Sequence, residues 1–195
     1  MRDLALGTTG PVNAATLAGR LILYLFFLAW GWAFFSPPTA TVVLDSFMHM
    51  INLPFHEAGH ILFSPFGPFL TSLGGSLGQL LVPAICAGAL LVQTRDPFGA
   101  SLCVWWLGQN FIDVAPYIDD ARTLQLVLLG GRTGAEVEGH DWEAILGALG
   151  WLRYDHAIAR ASHRLGVVLM ATALAWGALV LVSQFKNVRI RPASR

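Results

Sequence analysis

Residues 44–63 read LDSFMHMINLPFHEAGHILF, a helix-length segment that is apolar apart from a row of polar groups. His49, Asn52, His56, Glu57 and His60 are heavy cargo for such a segment. At 100° per residue His56 and His60 share one face, with Glu57 one position round. Both imidazoles can therefore reach one metal ion, and Glu57 can act as general base toward a water at that ion. Asn52 and His49 lie four and seven residues before His56, so the polar stripe runs on along the same face. We read His49 as a hydrogen-bonded interior histidine and Pro54 as a kink in the helix.

The setting of this segment decides the class. The chain has 195 residues, 55% hydrophobic and only 12% charged, with a mean hydropathy of +0.58. Soluble domains carry about a quarter charged residues, so a membrane protein is expected. Net charge is zero and no basic stripe is present, which excludes nucleic acid as an expected partner. Cys86 and Cys103 sit in apolar runs without Cys-x-x-Cys spacing and read as small core residues.

Apolar runs at 17–35, 67–92, 98–118 and 165–185 are long enough to cross a bilayer. Residues 1–16 read as a mobile arm and Ser36-Pro37-Pro38 as a stop. Trp30 and Trp32 suit an interfacial belt. Gly74 and Gly78 match the spacing that lets helices approach closely, or else form an irregular entry to the third run. The runs at 124–129 and 142–149 are too short to span and read as surface or partly inserted helices. His156 and His163 read as interfacial polar groups. Lys186, Arg189, Arg191 and Arg195 follow the last run and place the C-terminus in the cytoplasm. Arg2 and Arg20 favour the same side for the N-terminus.

The expected architecture is one all-α, polytopic, integral membrane domain over 1–195. About four to six hydrophobic helices surround an intramembrane metal site, with the metal-binding core at 44–120. Each ionisable group at bilayer depth costs about 2.5–3.5 kcal/mol, and a bound Zn2+ offsets that cost for both imidazoles. A zinc site needs at least a third protein ligand. Candidates are Asp113, Asp119 and Asp120 at the end of the 98–118 run, and His140-Asp141 further on. In Gly139-His140-Asp141-Trp142 we expect Asp141 to cap the following helix; the alternative is that His140 or Asp141 folds back over the metal.

His56-Glu57-Ala58-Gly59-His60 resembles the metal-binding helix of the site-2 protease family of intramembrane zinc metalloproteases. The family's third ligand lies downstream in an Asn…Pro-x-Leu-Asp-Gly segment, and Pro116-Tyr117-Ile118-Asp119 is similar to its Pro-x-Leu-Asp portion. The resemblance, which covers about 49–120, implies Asp119 as third ligand; Asp113, His140 and Asp141 stay as alternates on the residues alone. It also implies that Asn110 orients substrate or the developing oxyanion, and that Glu57 is the catalytic base. Asp120 stands where the pattern has Gly, the Asn-to-Asp separation is one residue longer, and Asp113 is an added carboxylate. The function implied is hydrolysis of peptide bonds, in a membrane-protein or peptide substrate, within or near the bilayer. Two rival readings are a metal-dependent membrane enzyme acting on a lipid or small amphiphile, and a non-catalytic membrane scaffold with a structural zinc.

Overall fold

Helix signals in the sequence become seven α-helices in the computed structural model, which describes residues 12–35 and 40–187. They are α1 (Ala14–Phe35), α2 (Ala40–Leu44), α3 (Phe47–Phe63), α4 (Pro68–Val92), α5 (Pro97–Asp119), α6 (Asp141–Ala148) and α7 (Asp155–Lys186). Single 3-10 turns, Ser64–Phe66 and Leu152–Tyr154, precede α4 and α7. Among the described residues there is no strand, only an isolated bridge between Val127 and Thr133. Arg2, Ser36-Pro37-Pro38, and Arg189, Arg191 and Arg195 lie outside the described residues.

Local chemistry sets the helix starts. The Asn13 side chain accepts the Thr16 N–H at 2.8 Å, so α1 begins inside the segment expected to be a mobile arm. The Ser46 hydroxyl accepts the His49 N–H and caps α3, so the segment expected as one helix over 44–63 is divided before Phe47. Pro54 then sits within α3, which continues through it. Pro68 and Pro97 open α4 and α5, where the missing N–H costs nothing.

Among the described residues, three helical segments are long and apolar enough to cross a membrane: Ala14–Phe35, Pro68–Val92 and Leu152–Lys186. α3 and α5 carry the polar load instead, and their polar residues turn inward. Asn52, Gln109 and Asn110 are fully buried and Asp113 is 2% exposed. Trp106 Nε1 donates to Asn52 Oδ1 and Asn52 Nδ2 to Gln109 Oε1, both at 2.8 Å. These bonds fasten α3 to α5 where unpaired amides would be costly. Outward-facing Ile22, Trp32, Ile61, Val168 and Phe185 are each more than half exposed, as expected of helices whose outer faces meet lipid.

Two features bring the functional helices together. α3 and α4 cross at glycines: a Cβ on Gly59 would lie 2.1 Å from Gly74 O, and one on Gly78 2.3 Å from Phe55 O. Of the two readings of this glycine segment, the close helix approach is the one adopted. α6 is held by Leu146, which packs with Val114, Ile118, Ala121 and Ala159 of α5, its C-terminal turn and α7. Burying a leucine of this kind contributes roughly 1.5–3 kcal/mol. That cluster docks the first residue of α6 over the α3–α4 crossing.

Residues 120–140 are irregular. The 124–129 run, expected as a short helix, forms turns and the Val127–Thr133 bridge. Leu124 and the following Gly130-Gly131 pair take positive φ, which suits a tight reversal better than a helix. The 142–149 run is helical, within α6. Cys86 and Cys103 are free and half-buried.

Candidate metal centre

The α3 face places His56, Glu57 and His60 so that one ligand atom from each lies within 4.8 Å of the others. The carboxylate that reaches the two imidazoles is Asp141. Its Oδ2 lies 3.0 Å from His56 Nε2 and 3.2 Å from His60 Nε2. All three side chains are about one-fifth exposed.

Both rings are oriented from behind. His56 Nδ1 donates to Gln79 Oε1 at 2.8 Å, and His60 Nδ1 to the Thr71 carbonyl at 2.8 Å. Gln79 Nε2 points at Asp113 Oδ2, 3.4 Å away. An acceptor-only carboxylate there fixes the amide with its oxygen toward His56. With Nδ1 protonated on each neutral ring, both Nε2 atoms present lone pairs toward the Asp141 oxygen. In those tautomers the contact is closed by a proton, on an imidazole or on the carboxyl group, or by a metal ion. Nδ1 bound to a carbonyl or amide oxygen is also the usual outer-shell arrangement of a metal-ligating histidine.

Space at this point is made by Gly75. A Cβ there would come within 2.5 Å of His56 Nε2 and 2.6 Å of His60 Nε2. Two nitrogens and a carboxylate oxygen are suitable zinc donors, so the residues fit the ion that the histidine spacing implies.

A cavity of about 410 Å³ opens beside these groups. His49, Glu57, Ser76, Asp113, Tyr117 and Trp142 are on its wall, and Leu128 and Leu129 of the irregular segment cover part of it. Glu57 makes no hydrogen bond or ion pair among the described residues and faces this space. Ser76 Oγ is buried there without a partner.

The other expected site residues are distributed as follows. Asp113 lies behind Gln79, 3.2 Å from His49 Nδ1, so His49 is hydrogen-bonded as expected. Asp119 is on a different face, since six residues turn a helix by about 240°. It pairs at the surface with His156 at 2.7 Å and does not line the cavity. Asn110 is fully buried, donates to Trp106 O at 3.0 Å, and is also off the cavity wall. The cap of α6 is His140, whose Nδ1 accepts the Glu143 N–H at 3.1 Å. Because His140 takes the cap position expected of Asp141, the Asp141 carboxylate is free to reach back to α3.

Sequence reasoning assigned no role to Gln79, Gly75 or the Thr71 carbonyl. Gln79 did carry a signal: it is an isolated amide within an apolar run. The Thr71 carbonyl had none, being backbone. No family model, curated protein or solved structure matches the chain, so the geometry of the site carries the functional argument.

Proposed function

We propose that the chain is a membrane-embedded zinc metalloprotease that hydrolyses peptide bonds within or near the bilayer. The observation that carries this reading is the convergence of His56 Nε2, His60 Nε2 and Asp141 Oδ2 beside an open cavity that also holds Glu57. His56, His60 and Asp141 would hold the ion, with Asp141 in the role that the sequence resemblance implied for Asp119. Zinc, when bound there, supplies Lewis acidity toward a carbonyl oxygen and makes a nearby water more acidic.

The chain's own residues do the rest. Glu57 takes a proton from water as its oxygen attacks the scissile carbonyl carbon, and returns that proton to the departing amine as the C–N bond breaks. Gln79 and the Thr71 carbonyl hold the imidazoles in the tautomer that leaves Nε2 available. The polar wall at His49 and Asp113 favours entry of water into an otherwise apolar bundle. Leu128, Leu129 and Trp142 give the cavity an apolar side for a hydrophobic substrate segment. A cavity beside only three protein ligands favours a catalytic site over a closed structural one. The three long apolar helices support residence in a membrane, and the basic residues after α7 favour a cytoplasmic C-terminus.

The test is hydrolysis of quenched fluorescent transmembrane peptides by purified protein. Glu57→Gln is expected to keep the metal and lose about 10²–10⁴-fold in rate. Wild-type turnover that persists in Glu57→Gln contradicts this mechanism.

A further inference from the structure

A second cavity, of about 490 Å³, lies between the C-terminal end of α5 and the first turns of α7, outside the metal centre. Arg160, His163 and Arg164 line it from α7, and Asp119 and Asp120 from the α5 side. The acids are already engaged. Asp119 pairs with His156 at 2.7 Å. Asp120 accepts the N–H groups of Gln125 and Leu126, each at 2.9 Å, and bonds with the Thr123 hydroxyl. The cations are not engaged: neither Arg160 nor Arg164 forms an ion pair among the described residues, and His163 Nε2 is shielded from solvent without a hydrogen-bond partner. Arg160 and Arg164 are four residues apart and so share a helix face.

We propose that this cavity binds a phosphate group, held by the Arg160 and Arg164 guanidiniums, both exposed on its wall. Guanidinium forks match phosphate oxygens. The arginines stand immediately before the apolar stretch that opens at Leu165, within the candidate span Leu152–Lys186. In a membrane this level is where lipid phosphates lie, so an acidic lipid headgroup is the source that the position favours. That source rests on the membrane reading of the chain; the phosphate chemistry does not.

Native mass spectrometry of the purified full chain tests this by separate titration with phosphatidylglycerol, phosphatidylcholine and inorganic phosphate. Phosphatidylglycerol is expected to bind wild type at least about tenfold more tightly than Arg160→Gln/Arg164→Gln, with phosphatidylcholine, whose choline cation offsets its phosphate, losing less. Arg164→Gln alone provides a second variant should the double one fail to fold, with a smaller loss expected in the same direction. Binding of inorganic phosphate that the variants lose, with lipid binding unchanged, supports the same site with free phosphate as the source. Equal binding of all three ligands by wild type and folded variants overturns the proposal. The metal content of the same samples reports on the α3 site separately, so the two readings can fail independently.

Discussion

His140 Nε2 faces Asp120 Oδ2 at 3.4 Å across the wall that separates the two cavities. The His140 Nδ1 is occupied by the α6 cap, which leaves the ring proton on Nε2; that N–H is buried without an aligned acceptor, so Asp120 meets it as a neighbouring charge rather than as a hydrogen-bond partner. One carboxylate therefore orders the turn after α5 and steadies the residue that precedes Asp141. Asp120→Asn is expected to weaken zinc binding by less than the roughly 10–100-fold that follows loss of a ligand's own partner, because Asp120 touches His140 and no ligand. Competition with a chelator of known affinity measures it, and unchanged affinity would separate Asp120 from the site.

Gln79 is the direct support of His56. Gln79→Leu keeps the volume but leaves His56 Nδ1 and Asp113 each short of a partner. We expect zinc affinity to fall about 10–100-fold, with α3–α4 packing intact by thermal unfolding. Gln79→Glu retains an acceptor for His56 and is expected to keep more of the affinity than the leucine variant.

Gly75 and Gly88 lie on the same helix and give opposite predictions. Gly75→Ala would press a methyl group against both Nε2 atoms and is expected to abolish metal binding. Gly88 has nothing within 4 Å of its would-be Cβ, so Gly88→Ala is expected to be neutral or to stabilise by about 0.4–1 kcal/mol. Metal content and melting temperature of the two variants check both statements. Metal binding equal to wild type in Gly75→Ala would contradict the ion position.

How much of this was readable in advance follows from distance along the chain. The His56–His60 face is a local consequence of helix period. The long apolar helices follow from length and composition. Asp141 stands 85 residues from His56, and its place depends on Leu146 docking α6 against α5 and α7, which no local pattern encodes. Its orientation depends in turn on His140 taking the cap, a position more often filled by Asp, Asn, Ser or Thr. The likeness of 116–119 to a known ligand segment pointed to Asp119, but the helix period puts Asp113 and Asp119 on different faces. The 124–129 run misled for a different reason: six residues are too few for apolar content to separate helix from turn.

Zinc content per chain, by elemental analysis of purified protein, tests the central claim most directly. The samples are wild type, His56→Ala, Asp141→Asn, Asp113→Asn and Asp119→Asn. The account predicts about one zinc in wild type and in Asp119→Asn, weakened retention in Asp113→Asn, and loss in His56→Ala and Asp141→Asn. Zinc lost in Asp119→Asn but kept in Asp141→Asn would contradict the ligand set, and folded wild type without metal would contradict the site itself.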